Sequence, residues 1–440
     1  MSPARVLALS FLLTIILGTA LLLLPAASVQ GQSMGFMDAL FTATSAVCVT
    51  GLVVVDTGTQ LSLLGQLVIL FLVQTGGLGI MTMSTLVFML LGKRITLRER
   101  LLIMEALNLH NLQGVVRLTR RILLITFLIE AAGAFLLALR FIPVFGWGTG
   151  IYFSIFHSIS AFCNAGFDLM GHYSSLTGFT GDVIINFIIL GLIVLGSLGF
   201  TVIMDLGRHG FHIRKWTLHT KIVVFATAAL ALSGSIFFFL VEYNNPDTMG
   251  HLSLGNKILA SLFLSAGSKT AGMNTISIGV LTNASKFLMM LLMFIGGSPS
   301  SMGGGIKTTT FSVILLMVWS VIKGKEDIVV FKKCIPISIA LRALAIALIS
   351  LLALSVVISV LSLLESAPFM DIMFQAASAL GTVGLSVMDI AGMLNISKMI
   401  LVLSMFMGRV GPLSLTLAFA KKQSLSSNSI HYPEERIMVG

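Results

Sequence analysis

Residues 37–56 read MDALFTATSAVCVTGLVVVD, and residues 370–389 read MDIMFQAASALGTVGLSVMD. At a constant offset of 333, ten of the twenty positions are identical. Such self-similarity constrains a fold more than any local propensity, because each copy must adopt one supersecondary plan. The shared positions include Asp38 and Asp371, Phe41 and Phe374, Ser45 and Ser378, Gly51 and Gly384, and Asp56 and Asp389. A further copy, FHSISAFCNAGF, aligns Phe156, Ser160, Ala161 and Gly166 with Phe41, Ser45, Ala46 and Gly51. The remaining copy, SAGSKTAGMN, is the weakest match and is anchored on Gly272.

Each copy lies between two strongly apolar stretches. Stretches able to span a bilayer, at about 20 residues per crossing, fall near residues 5–25, 62–91, 117–140, 182–206, 217–242, 284–322, 335–364 and 396–420. Charged residues make up 10% of the 440-residue chain, against roughly 25% in soluble proteins. A soluble globule of this size could not cover its surface with so few. A single soluble domain, a disordered chain and a disulfide scaffold are all excluded. The three cysteines, Cys48, Cys163 and Cys334, form no Cys-x-x-Cys pair. The run from Val6 to Leu24 is too long for a signal-peptide core and reads as a retained span.

The segments between paired stretches, near residues 36–52, 150–167, 257–273 and 369–385, run only about a dozen residues to a glycine. They are too short and too rich in Ser, Thr and Ala to cross, so they should dip in and return. The following helix carries a glycine cluster in each copy: Gly76-Gly77-Leu78-Gly79, Gly196-Ser197-Leu198-Gly199, Gly296-Gly297 and Gly408-Arg409-Val410-Gly411. The expected fold is an all-α polytopic membrane protein. It has four tandem helix–pore-loop–helix repeats around a pseudo-fourfold central pore, and eight transmembrane helices. The repeats are cut at residues 1–107, 108–213, 214–332 and 333–440.

Lys and Arg set the orientation. Placing both termini and the inter-repeat loops on one side puts 20 of the 27 basic residues there and 5 opposite. The richer side is cytoplasmic by the positive-inside rule. The expected location is the plasma membrane, with the four loops entering from outside. The net charge of +10 then reports topology, and no nucleic-acid partner is expected.

A short helix that dips in and stops at a glycine aims its negative carbonyl end at the bilayer centre, which favours a cation. If four copies converge, the backbone after each helix offers rings of carbonyl oxygens that replace an ion's water. Glycine supplies the positive φ or close approach this needs. The plain alternative is that these small residues serve helix packing; recurrence in all four copies argues against it. The filter candidates are Val49-Thr50-Gly51, Asn164-Ala165-Gly166, Thr270-Ala271-Gly272 and Thr382-Val383-Gly384. None carries a charge, so bare backbone oxygens suit a monovalent ion that must also leave.

Residues 296–307 interrupt an apolar stretch with Gly296, Gly297, Ser298, Pro299, Ser300, Ser301, Gly303, Gly304, Gly305 and Lys307. Pro and repeated Gly break helices. A flexible polar segment at this depth should line a cavity; the alternative is a plain cytosolic loop. Its spacing does not match a phosphate-binding Gly-x-x-x-x-Gly-Lys loop. Arg409 is a lone cation in the last helix, and a mid-membrane charge is a functional candidate by default. The alternative is an arginine snorkelling to the interface. Asp38 and Asp371 read as helix N-caps. Asp56 and Asp389 could attract cations at the outer mouth. Cys48 and Cys163 read as small buried thiols. The eight histidines show no metal spacing, and no catalytic constellation can be assembled.

The four loops, the stretch FIGGSPSSMGGGIKTTTF (294–311) and MGRVGPL (407–413) resemble the Trk/Ktr/HKT superfamily of potassium transporters, and most of all the bacterial Ktr membrane subunits. The resemblance spans nearly the whole chain. It implies potassium preference from four intact filter glycines, Gly51 included. It makes residues 296–307 an intramembrane gating loop and puts Arg409 in the pore. It further implies a homodimer, a cytosolic ring of nucleotide-binding RCK subunits as partner, K+ as substrate with or without Na+ dependence, and no cofactor held by this chain. The expected function is inward K+ conduction through the glycine filter, gated by that loop. Two rivals stand beside it: an alternating-access secondary transporter and a membrane-embedded enzyme.

Overall fold

The computed structural model describes residues 3–79, 82–83, 115–325 and 327–411. Its helices are α1 (Pro3–Leu22), α2 (Phe36–Val47), α3 (Leu63–Leu78), α4 (Val115–Phe145), α5 (Trp147–Phe162), α6 (Val183–Leu198) and α7 (Phe200–His209). They continue as α8 (Leu218–Glu242), α9 (Leu254–Thr270), α10 (Asn283–Phe294), α11 (Thr308–Ile322), α12 (Ile337–Leu364), α13 (Phe369–Gly381) and α14 (Asn395–Val410). A two-stranded antiparallel hairpin, β1 (Ile328–Val330) and β2 (Lys333–Ile335), joins α11 to α12.

The order is long helix, short helix, second helix, four times over. The long members, α1, α4, α8 and α12, are the described helices long and apolar enough to cross a membrane unbroken. They stand at the periphery. In the most apolar window of α12 only 17% is buried, so most of that helix faces outward from the fold. The short members α2, α5, α9 and α13 sit inside, with Phe41, Phe156, Phe263 and Phe374 fully buried.

Three of the four second helices begin at a residue whose side chain accepts a first-turn N–H. Ser62 caps α3, Asp182 caps α6 and Thr282 caps α10, each satisfying donors that helix starts leave unpaired. These helices do not run through as single spans. α3 stops at Gly79 (φ +81°), α6 at Gly199 (φ +89°) and α14 at Gly411 (φ +91°). α6 and α7 meet at 103°. The stretch 284–322 divides into α10, a loop and α11. So the eight expected crossings appear as four unbroken helices and four second helices that are interrupted or end at glycine. The parts of the apolar stretches at 80–81, 84–91 and 412–420, the cut after residue 107, and the basic residues Lys93, Arg94, Arg98, Arg100, Lys421, Lys422 and Arg436 lie outside the described residues.

The glycine clusters divide two tasks. A methyl group added at Gly76, Gly196 or Gly408 would overlap the carbonyl oxygen of Val47, Phe162 or Leu380, in the last turn of the neighbouring short helix. These glycines permit backbone contact. Three residues later, Gly79, Gly199 and Gly411 take the positive φ that ends the helix.

Candidate functional site

The four short helices point their C-termini at one place. In three copies the turn after the helix is the same: Val49 (φ +56°), Asn164 (φ +57°) and Thr382 (φ +50°) are left-handed. The serine one turn back closes it. Thr50 N–H donates to Ser45 O at 2.8 Å, Ala165 N–H to Ser160 O at 2.8 Å, and Val383 N–H to Ser378 O at 2.9 Å. The Oγ atoms of Ser45 and Ser378 each accept the N–H of Gly51 and Gly384 at 3.1 Å. That is the physical reason the Ser-to-Gly spacing repeats. The Gly272 copy differs, as its weak sequence match suggests. Its helix continues to Thr270, and Ala271 remains right-handed.

All four glycines then take positive φ: Gly51 +88°, Gly166 +74°, Gly272 +66° and Gly384 +97°. They also meet. A methyl group at Gly51 would overlap Ala165 O, and one at Gly384 would overlap Thr50 O. At Gly166 it would lie 3.0 Å from Ala271 O, and at Gly272 2.5 Å from Val383 O. Each glycine thus faces the carbonyl of the residue just before the next glycine, and the fourth returns to the first. The contacts form a closed head-to-tail ring.

Above the ring is a cavity of about 630 Å³, lined by Gly51, Gly166, Gly272 and Gly384 at its floor and by Asp168 and Asp389 higher up. Asp389 is among the residues that line this cavity. Asp56 is not: it is 6% exposed and accepts the N–H groups of Gly58 (3.1 Å) and His172 and the hydroxyl of Thr59 (2.9 Å). It knots two loops together, which corrects the cation-attracting role read for it. Asp168, two residues beyond Gly166, lines the cavity instead.

Below the ring, residues 296–307 form a loop held by hydrogen bonds to its own ends and to α6. Gly296 N–H donates to Ile306 O at 2.8 Å, and Thr308 Oγ1 donates to Gly296 O at 3.0 Å. Ser298 N–H reaches Ser197 O at 3.0 Å, Met302 N–H reaches Gly196 O at 3.1 Å, and Phe200 N–H reaches Ser300 O at 3.0 Å. The loop is pinned to the broken end of α6. Gly303 and Gly304 pack against the side chains of Thr270 and Thr382 at the inner end of the ring. Pro299 lies against Gly199, and Gly305 (φ +68°) turns the chain beside Gly381 and back to α11. Gly297 abuts Ser301 and Gly303. Lys307 Nζ folds back and donates to Gly303 O at 2.8 Å. Thr50, Thr270, Thr382, Ser298 and Ser301 bury hydroxyls with no protein partner. Buried hydroxyls of this kind mark a polar interior rather than a packed apolar one.

Arg409 enters this level from α14. Its guanidinium donates to Met302 O of the loop, to Gly76 O, and to Gly77 O at 3.2 Å. The arginine therefore bridges the loop and the carbonyl end of α3, three elements brought to one point. It does not snorkel.

Asp38 and Asp371 are not caps. The caps are Gly35 and Pro368, without side-chain bonds. Asp38 instead pairs with Lys398 at 2.9 Å and Asp371 with Lys286 at 3.2 Å. Each pair ties the start of one second helix to the short helix of the next copy. Cys48 and Cys163 are fully buried, as read. Lys269 is buried at the end of α9 and donates to Thr227 Oγ1 at 3.3 Å. Glu130 in α4 and Asp168 were not singled out by motif. A lone acid inside a span was the available signal for Glu130.

Helical spans, re-entrant short helices and a convergent ring of backbone carbonyls define an integral membrane protein that passes ions rather than an enzyme. The comparisons name the group. Residues 6–430 match the TrkH family, described as cation transport proteins, and the chain belongs to it. It is 41% identical over 439 residues to the Ktr system potassium uptake protein B of Bacillus subtilis, covering 100% of this chain and 97% of that one. It is 38% identical over 444 residues to the potassium/sodium uptake protein NtpJ of Enterococcus hirae, covering 100% and 98%. Among solved structures it is similar to the potassium transporter TrkH from Vibrio parahaemolyticus, with a TM-score of 0.71 and 19% identity over 93% of this chain and 84% of that one. At that identity the likeness speaks to the fold.

Proposed function

We propose that this chain is the ion-translocating subunit of a potassium uptake system. K+ collects in the outer cavity beside Asp168 and Asp389. It sheds water at the backbone carbonyls of Val49–Gly51, Asn164–Gly166, Thr270–Gly272 and Thr382–Gly384. It then rests beneath the ring and passes a barrier made of residues 296–307 and Arg409. The observation that carries this reading is the closed ring of the four glycines at the floor of that cavity. Uncharged oxygens bind a monovalent ion firmly enough to admit it and weakly enough to release it. The membrane potential supplies about 2.3 kcal/mol per charge per 100 mV. The names of the curated relatives support potassium, and one adds sodium.

On the charge count both termini are cytoplasmic. The inner basic face is then available to a nucleotide-binding RCK ring, with two copies of this chain side by side in the membrane. The designation "Ktr system" in one relative's name supports a multi-component assembly.

The test is uptake in a potassium-starved host, with K+ and Na+ each offered alone, with and without a co-expressed RCK subunit. Wild type should restore growth and favour K+. Gly51→Ser and Gly384→Ser should lose that preference. Equal uptake and equal sodium discrimination in all three would remove the filter from this reading.

A further inference from the structure

Glu130 lies near the middle of α4, a helix otherwise built to face lipid and apolar neighbours, yet its side chain is 5% exposed. A carboxyl group at that depth is costly, and such residues face the protein interior and hold a partner. Here the partner is Gln74 of α3, whose Nε2 donates to both carboxylate oxygens, at 3.0 and 3.1 Å. Cys163, at the end of α5, donates its thiol to Gln74 Oε1 at 3.5 Å and stands 3.9 Å from Glu130 Oε1. Ser158 Oγ donates to the Glu130 backbone carbonyl at 2.7 Å, fixing α4 against α5.

Gln74 is two residues from Gly76, and that spacing decides the matter. Gly76 and Gly77 supply the α3 carbonyls that hold the Arg409 guanidinium. Gly77 packs between Cys163 Sγ and Met302 Sδ, and Met302 O is the arginine's other acceptor. One contiguous chain of contacts therefore runs from the Glu130 carboxylate through Gln74, the end of α3 and Cys163 to Arg409. Gly79, with φ +81°, ends the α3 ladder. The side-chain anchor must come from just before the break, where Gln74 stands.

We propose that Glu130 is a positioning residue for the inner barrier. Its carboxylate clamps Gln74, and through the broken end of α3 it keeps Arg409 across the pore. This rests on the reading of Arg409 as part of the barrier, and the two are tested separately.

The experiment is cation flux into liposomes carrying purified full-length protein, with Rb+ as tracer. Flux is normalised to monodisperse protein and measured against Rb+ concentration. Arg409→Gln comes first; flux at the wild-type level in that variant would end the barrier reading itself. If Arg409→Gln raises flux, Glu130→Ala and Gln74→Leu should each raise the maximal rate several-fold while leaving half-saturation at the filter unchanged. Glu130→Gln, which keeps a hydrogen-bonding oxygen for Gln74, should stay nearer wild type. In the Arg409→Gln background Glu130→Ala should add nothing, because an effect transmitted through the arginine disappears with it. Additive effects in the double variant, or wild-type flux in both single variants, would overturn the proposal. If Glu130→Ala does not yield folded protein, Gln74→Leu decides, since it removes the clamp and leaves the acid.

Discussion

The two sides of the glycine ring follow opposite rules. At the ring, three copies share one left-handed residue and one serine-closed turn, and all four place one positive-φ glycine against the next carbonyl. Just below it the copies part company. Three second helices stop at glycine, and one of these, α14, also brings an arginine, while the remaining one gives way to a loop of a dozen residues. Symmetry suits a step in which equivalent oxygens surround a spherical ion. Asymmetry suits a step that must be blocked, because one loop and one charge can fill a pore that four equal parts would leave open. On the function proposed above, the fourfold plan would serve selection and its violation would serve the barrier.

The strongest way to break this comparison is at the ring. Gly384→Ala drives a methyl group into Thr50 O, whereas Gly166→Ala meets Ala271 O at 3.0 Å. Both take a φ that L-residues disfavour. Uptake should fall at least about tenfold for Gly384→Ala, equal to about 1.4 kcal/mol of barrier, and clearly less for Gly166→Ala. Equal losses, scored as initial Rb+ uptake rates, would mean that the contacts do not grade the ring. Next comes the lower level. Deleting residues 300–304 should raise flux through purified protein by roughly tenfold, again about 1.4 kcal/mol; lower flux with intact folding would make the loop a support rather than an obstacle.

The sequence made the upper level readable because its constraint is local. Ser45, Gly51 and their counterparts sit in one turn, so their spacing recurs along the chain. The lower level was readable only as composition. Nothing near Arg409 in sequence announces Gly76, 333 residues away. The same holds for Asp38, whose first-turn position reads as a cap, while its actual partner Lys398 is 360 residues off. Asp56 followed a filter and suggested the mouth, but the loop curls and buries it. Glu130 was visible as a lone acid in a span, yet its partner lies on a different repeat.

The rim offers a finer test. Ion pairs join α10 to α13 and α14 to α2, while no such pair among the described residues joins α3 to α5 or α6 to α9. Lys398 is nearly buried and Asp38 one-third exposed. Lys398→Met should cost about 1–2 kcal/mol, below the figure for a fully buried pair, read as a lower unfolding temperature in detergent. No shift would leave the fourth copy held by packing alone.

The smallest effect belongs to Asp182, which caps α6 and meets Arg140 at 2.5 Å. Burial alone would raise its carboxyl; Arg140 and the N–H groups of Ile185 and Ile184 overcome that and hold it below the usual range. The stabilisation is therefore complete above the unfolded pKa of about 4 and fades as pH falls through the lower folded value. With Arg140 half-exposed, Asp182→Asn should cost about 0.5 kcal/mol at pH 7. The gap to wild type should close toward pH 3, and a constant gap would assign the effect to capping instead.

The ring closes where Gly384 meets Thr50. During synthesis the first loop emerges long before its final neighbour exists. A ribosome that has delivered three copies has made three parts of an open ring, and Arg409 follows 25 residues after the closing Gly384. If the ring selects and the arginine blocks, as proposed, the conduit and its stopper are completed together.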